Sequence, residues 1–277
     1  MQANRGCYSL RALCTALQVS RSGYYAWCDR DKSPCPLNQA IERQFKQDKA
    51  RAGAPSIAHA LQQTGMVCSI RTVGRRMQRL GLRARYAKKF KRTTDSRHSH
   101  AVVPNHLARQ FVVGAPNRVW VGDITYIPTR EGWLYLAAVI DAFSRKVVGW
   151  SMSERITEKV AIDAMEQAVG REGPPDDGSL VFHDDQGAQY TSRSFQRCLD
   201  SHGIVQSVSR PGTPLDNAVA ESFFKTLKRE LVKERSYGTR DEAKQDIFKY
   251  IELYYNRVRM HSTLGYMSPV EYERQYA

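Results

Sequence analysis

Cysteine pairing is the first thing this 277-residue chain lacks. Its six cysteines, at 7, 14, 28, 35, 68 and 198, contain no C-x-x-C. Their scattered spacing fits neither a disulfide framework nor a zinc knuckle, so they are expected to be free thiols in a reducing compartment. His98 and His100 form an H-x-H pair with no cysteine pair at ligand spacing, so no zinc is assigned. Long apolar runs are missing too. No stretch approaches the roughly 18 residues needed to span a bilayer, and the mean hydropathy is −0.54, which excludes a helical membrane protein. The first residues, MQANRGCYSLRALCTAL, lack the uninterrupted apolar region of a secretory signal, which predicts a protein that stays where it is made. Negative charge is scarce at one end only. Residues 1–115 hold 21 Lys+Arg against 5 Asp+Glu, a net +16, whereas residues 116–277 hold 21 against 23, a net −2. Such segregation predicts a polyanion-binding N-terminal part, with nucleic acid as the leading partner, joined to a core that does different work.

What is present follows that division. Leu10, Leu13, Ala16 and Leu17 recur at helical spacing, and Ser20 caps a second helix over RSGYYAW. A second unit of this form follows: SIAHALQQ as helix, TGMVC as turn, then Ser69 capping IRTVGRRMQRLGL, with Ile70, Val73, Met77 and Leu80 along one face. Arg71, Arg75 and Arg79 recur every four residues on another face, with Arg76 nearby, making a basic stripe suited to DNA contact. Residues 86–115 are expected to be a basic linker. Beyond them, RVWVGDITYIPT, GWLYLAAVIDAF and KVVGWSMS predict three strands in a meander. TEKVAIDAMEQAVGR predicts a helix, LVFHDD a strand, SRSFQRCLDSHGI a helix and VQSVS a strand. PLDNAVAESFFKTLKRE and the tail supply further helices, the tail with Ile247, Ile251 and Tyr254 inward. This order implies an α/β core with a mixed sheet, preceded by an all-α region.

Three carboxylates stand out within these elements. Asp123 interrupts an apolar strand, Asp185 ends another, and Glu221 lies on the polar face of a helix, roughly 120° from Leu227 at about 100° per residue. A carboxylate among apolar residues is costly unless a cation or hydrogen bonds compensate it, which makes each a candidate metal ligand. Magnesium takes hard oxygen donors and needs few carboxylates. Two ions about 3.5–4 Å apart can bind the attacking and leaving oxygens of a phosphoryl displacement. Asp141, in VIDAFSR, is read instead as capping the adjacent turn, and His183 as a buried, hydrogen-bonded histidine.

Sixty-one residues separate Asp123 from Asp185 and thirty-five separate Asp185 from Glu221. With that spacing, LCTALQVSRSGYYAW, RTVGRRMQRLGLRA, PNRVWVGDITYIPT, GWLYLAAVIDAFSRKVVGWSMS, HDDQGAQYTS, RPGTPLDNAVAESFFKTLKRE and YNRVRMHSTLGYMSP together make the chain recognisable. It resembles the OrfB transposases of the third insertion-sequence family, relatives of retroviral integrases in the DDE superfamily. The resemblance implies a ribonuclease H-like catalytic core, with a mixed five-stranded sheet and flanking helices, over residues 116–277. It implies a helix-turn-helix DNA-binding region over 1–85. Asp123, Asp185 and Glu221 would be the catalytic, metal-holding set, with two Mg2+ ions expected and Mn2+ as a substitute. Lys228 falls where such enzymes carry a basic residue after the glutamate, and Lys225 joins it as a DNA-phosphate contact. Where the family carries a small residue after the histidine, this chain has Asp184. The interval to Glu221 and the following Gln-Gly select Asp185, and Asp184 stays as the alternative. The implied activity is metal-dependent strand cleavage followed by 3′-hydroxyl strand transfer on double-stranded DNA, both element ends and target. The implied setting is the bacterial cytoplasm, at the nucleoid, in a homo-oligomer or in assembly with an upstream-frame fusion product. A catalytically silent DNA-binding regulator and a simple nuclease are the rival readings. A tyrosine recombinase built on His106 and Arg109 lacks matching partner residues.

Overall fold

The computed structural model describes residues 6–28, 35–85, 113–175, 177–185, 187–209 and 217–276. Among the described residues, five helices form the N-terminal part: α1 Leu10–Ala16, α2 Arg21–Cys28, α3 Pro36–Gln47, α4 Ala54–Gln63 and α5 Ile70–Arg79. Their starts follow from local chemistry. Ser9 accepts from the Ala12 amide at 3.2 Å, Ser20 from Gly23 at 3.0 Å and Ser69 from Thr72 at 3.1 Å, each satisfying a donor that the first helical turn leaves open. Helix α3 lies outside the elements expected from sequence. Its signal is Pro36 in the first turn followed by Leu37, Ile41 and Phe45 at i, i+4 and i+8. This helix completes a core in which Ile41, Ile57 and Val73 are fully buried with Phe45, Leu61 and Met77. The expected apolar face of α5 needs one correction. Val73 and Met77 are buried, but Ile70 is 50% exposed. Residues 86–112, most of the expected basic linker together with His98, His100 and the His106–Arg109 segment, lie outside the described residues.

The second part is built on five strands: β1 Val119–Thr129, β2 Gly132–Asp141, β3 Val147–Ser153, β4 Val181–Asp184 and β5 Val205–Val208. The sheet order is β3-β2-β1-β4-β5. Strands β1, β2 and β3 pair antiparallel through tight connections, whereas β4 runs parallel to both β1 and β5. The parallel strands require crossovers, which α6 Glu158–Glu172 and α7 Arg193–Ser201 provide.

Because side chains alternate across a strand, this sheet has two apolar faces, and each must be covered. Trp120, Ala137, Val139 and Phe182 pack under α6 and α7 with Ala164, Met165 and Phe195. Val121, Ile127, Leu136 and Ile140 pack on the opposite face, under α8 Ala218–Glu230 and α9 Arg240–Lys249 with Phe223, Leu227 and Ile247. Each fully buried large side chain contributes about 1.5–3 kcal/mol of transfer free energy. Close approach of α6 depends on Gly149. A Cβ there would overlap the Ala164 carbonyl and lie 2.7 Å from the Ala168 Cβ.

After α9 the helix widens into a π-helical segment, Tyr250–Tyr255, and the chain ends in α10 Pro269–Glu273. Ile247 and Ile251 are buried as expected, but it is Tyr255, in step with them at i+8, that enters the core, and Tyr254 lies at its margin. No helix among the described residues is long and apolar enough to cross a membrane.

Candidate functional site

Asp123 sits in the middle of β1, on the face that carries Val121 and Ile127 towards α8. The neighbouring strand β4 runs parallel, with Val121 opposite His183. Two residues on from that pair, the register brings Asp185 level with Asp123, at the point where β4 has ended and its chain is free to turn. The third carboxylate arrives on a helix. Glu221 lies in the first turn of α8, and the helix start is held against β1 by Asn217, whose Nδ2 donates to the Gly122 carbonyl at 3.0 Å. A parallel strand pair and one helix start thus gather three carboxylates from distant parts of the chain.

Electrostatics record their proximity. Burial pushes the Asp123 carboxyl well above the ordinary carboxylate range. The charges of Asp185 and Glu221 raise it further, against a hydrogen bond from the Ile124 amide and the opposing charge of Lys228. Asp185 keeps an open flank to solvent, yet protein atoms crowd its carboxyl. It is pushed up to about 6 by that crowding and by the charge of Glu221. Glu221 is exposed and is raised by partial burial, with Lys225 opposing. Lys228 is lowered by burial, with the charge of Asp123 opposing, and its Nζ lies 4.7 Å from the centre of the Tyr126 ring. The three carboxylates do not draw their oxygens as tightly together as Glu166, Cys198 and His202, whose ligand atoms lie within 4.8 Å of one another. Mutual repulsion opposes closer approach. The donor set, all carboxylate oxygens, suits a hard divalent cation.

Asp184 has a different environment. Its side chain is fully buried, with Oδ2 accepting from Gln206 Nε2 at 2.9 Å and Oδ1 without a hydrogen-bond partner among the described residues, and burial pushes its carboxyl up to about 8. It bears on Asp185 but not on the other two carboxylates. Asp141 caps the β2–β3 turn as its position suggested, accepting from the Phe143 amide at 2.9 Å and from Ser144 Oγ at 3.3 Å. His183 is buried, with Nδ1 3.0 Å from Ser207 Oγ and Nε2 3.0 Å from Ser209 Oγ. Arg71, Arg75 and Arg79 are exposed along α5, whereas Arg76 turns inward to Asn38 Oδ1 at 2.7 Å. Residues 209–217, which precede α8, are described only at Ser209 and Asn217.

Two participants are not legible in the sequence. Tyr190 is buried, with its hydroxyl pKa raised well above the usual value by burial and by Asp123, Asp185 and Asp184. Asn217 anchors α8. Each lies in irregular chain, where neither periodicity nor charge marks a residue.

Sequence comparison extends the picture. The Integrase core domain family matches residues 114–214 and, in a second form, 202–269; an HTH-like domain family matches residues 36–90. A transposase of insertion sequence IS904 from Lactococcus lactis is 47% identical over 238 residues, covering 86% of this chain and 93% of that protein. Transposase InsF of insertion sequence IS3A from Escherichia coli is 39% identical over 275 residues, covering 97% and 95%. Among solved structures, the catalytic core domain of HTLV-2 integrase in complex with magnesium matches with a TM-score of 0.43 at 22% identity, covering 57% of this chain and 97% of that one. With the five-stranded mixed sheet, its covering helices and the helical region before it, the sequence relationships place the chain in the IS3 family of insertion-sequence transposases, DNA-transposing polynucleotidyl transferases with an integrase core.

Proposed function

We propose that Asp123, Asp185 and Glu221 are the catalytic carboxylates of DNA strand cleavage and 3′-hydroxyl strand transfer, and that they hold two magnesium ions, with manganese as a substitute. The observation that carries this reading is that the fold brings together carboxylates the sequence keeps 61 and 35 residues apart, close enough for Asp185 and Glu221 to raise Asp123 and for Glu221 to raise Asp185. A silent regulator has no use for that unfavourable arrangement. Bound magnesium would polarise the scissile phosphate and lower the pKa of the attacking water. The chain's own residues do the rest. Asp123, anchored on a rigid strand, fixes the site's position; Asp185 and Glu221, with open flanks, adjust to the phosphate. Lys228, steadied over Tyr126, and Lys225, one turn before it, offset phosphate charge beside the carboxylates. Hydrolysis leaves a 3′-hydroxyl on the element strand, which then attacks a target phosphodiester in line, displacing a second 3′-oxygen. No residue of the chain needs to bond covalently to DNA.

Residues 1–85 are assigned to DNA binding, 86–115 to a basic linker and 116–277 to catalysis. The partners are element ends and target DNA, within a homo-oligomer or with an upstream-frame fusion product, at the bacterial nucleoid. A joining assay with magnesium on duplexes bearing element ends tests the reading. Products longer than the input strand are expected; release of nicked ends without joining would reduce the protein to a nuclease. The arginine stripe makes a separate prediction. Exchanging Arg71, Arg75 and Arg79 together for glutamine should flatten the dependence of log K on log salt by about 0.9 for each phosphate no longer neutralised, measured by fluorescence anisotropy. An unchanged slope would remove α5 from the interface.

A further inference from the structure

Between the N-terminal helices and the core lies a cleft of about 610 Å3 that the carboxylate site does not use. Five arginines line it: Arg51 and Arg85 from the helical side, Arg145, Arg229 and Arg259 from the core. Its carboxylate, Glu230, is already saturated. It accepts from Arg259 Nη2 at 3.0 Å, Arg229 Nη2 at 2.9 Å and the Tyr250 hydroxyl at 2.9 Å. His261, also in the lining, adds no negative charge. Burial and the neighbouring guanidinium groups of Arg259 and Arg145 push it down to about 3, a mark of the positive potential there.

Three of these arginines carry a buried N–H with no hydrogen-bond partner among the described residues: Nε of Arg51, Nη1 of Arg145 and Nε of Arg229. A buried donor left unpaired gives up its hydrogen bond to water for nothing in return, at a higher cost when charged, and natural proteins rarely accumulate such donors around one space without a purpose. Arg145 is the most exceptional. It occupies the tight β2–β3 turn at φ 63°, a left-handed conformation that side-chain-bearing residues seldom adopt. The carboxylate that acts on its charge is the turn's own Asp141, whose oxygens are engaged by Phe143, Ser144 and Asn117.

Two helix starts open into the same space. Gly53, Pro55 and Ser56 bring the first turn of α4, and Ala218 and Val219 bring the first turn of α8. Neither start has a side-chain cap among the described residues. Unsatisfied amides and the helix dipole favour an anion at both. The location matters as much as the charge. About 100° of rotation separates Glu221, on one side of α8, from Ser222, which faces the cleft, so a strand lying in the cleft reaches the carboxylates by crossing a single helix.

We propose that this cleft binds phosphate oxygens, and that its occupant is the sugar-phosphate backbone of a DNA strand on its way to or from the carboxylates. This rests on the DNA-joining reading above, but its test is read separately. The full-length chain and its Arg145→Gln and Arg51→Gln variants are compared in two measurements. The first is the thermal shift caused by inorganic phosphate in otherwise phosphate-free buffer. The second is the salt dependence of duplex DNA binding. Wild type should be stabilised by phosphate and each variant less so. Each variant should also lose about 0.9 from the slope of log K against log salt for every phosphate it fails to neutralise. Without phosphate, Arg145→Gln should melt at or above the wild-type temperature, because an unpaired buried charge is gone; an arginine with a purely structural role would show the opposite. An unchanged DNA slope in both variants overturns the proposal, even if the phosphate shift is lost, since the cleft would then be a free-anion pocket. A lowered melting temperature with intact slopes overturns it equally. Failure of the joining assay in wild type, with the slopes still falling in the variants, would overturn the catalytic reading and leave the cleft as a DNA contact.

Discussion

Asp123→Asn abolishes joining of DNA ends in magnesium and raises the melting temperature in EDTA. The two halves of this expected result have one origin. Asp123 is raised well above 3.8 by burial first and by Asp185 and Glu221 second. The native state therefore holds that proton more tightly than the unfolded chain. Between pH 3.8 and the native value, unfolding releases a proton, so the group's contribution to stability declines as pH rises through that window. Asparagine removes the penalty. The gain is absent below pH 3.8 and complete above the native value, in the absence of divalent cations. Activity moves the other way, because an amide cannot supply the charge that holds a hard cation. A loss on the order of a thousandfold corresponds to about 4 kcal/mol of transition-state stabilisation. Glu221→Gln should show the same loss of joining with a smaller stability gain, since Glu221 is exposed and partly offset by Lys225. Joining gels paired with thermal melts across pH check both halves. A variant that joins normally, or one that melts lower at neutral pH in EDTA, refutes the assignment.

Glu230→Ala is expected to cost about 3–5 kcal/mol, the range for removing one partner of a buried ion pair. Glu230 is 2% exposed. Burial acts to raise its carboxyl, but the Arg259 guanidinium outweighs that effect, aided by hydrogen bonds from Arg259, Arg229 and Tyr250, and the carboxyl ends below its ordinary value. Alanine would leave Arg259 buried without its acceptor. The direction of the shift sets the pH dependence. Stability from this group is fully present above the unfolded value of about 4.5 and is lost as pH falls through the native value. The deficit of Glu230→Ala should therefore be full at pH 7 and shrink in acid. Urea melts at both conditions measure it, and a deficit below about 1 kcal/mol at pH 7 would show that the network is replaceable. Glu230 joins the end of α8 to the π-helical segment and Arg259, so its loss should also loosen the helix that carries Glu221.

Particular residues show how far the linear order can be read. The strands over 119–129 and 132–141 are visible because β-branched and aromatic residues concentrate there and a Gly132 turn separates them. Ser69 announces α5 through the hydroxyl that caps it. Helix α3 is hard to read because its apolar residues are diluted by Asn38, Gln39, Glu42 and Arg43, and only contact with α4 and α5 shows that Ile41 is core. Ile70 lies outward although it shares the periodic face of Val73 and Met77. Periodicity assigns a face, but the reach of neighbouring helices decides how much of that face is covered.

Of the site, Asp123 is legible as an acid amid apolar residues, and Glu221 as a lone acid on a lysine-bearing face. The chain alone determined which elements form, where positive charge collects and which carboxylates are out of place, since these depend on neighbours within a turn or a strand. Only the folded arrangement decided that β4 lies parallel to β1, that Tyr190 lies beside Asp123 and Asp185, and that arginines from Arg51 to Arg259 converge on one cleft. Those facts depend on strand order and helix docking, which join residues far apart in sequence and leave no periodic trace along it.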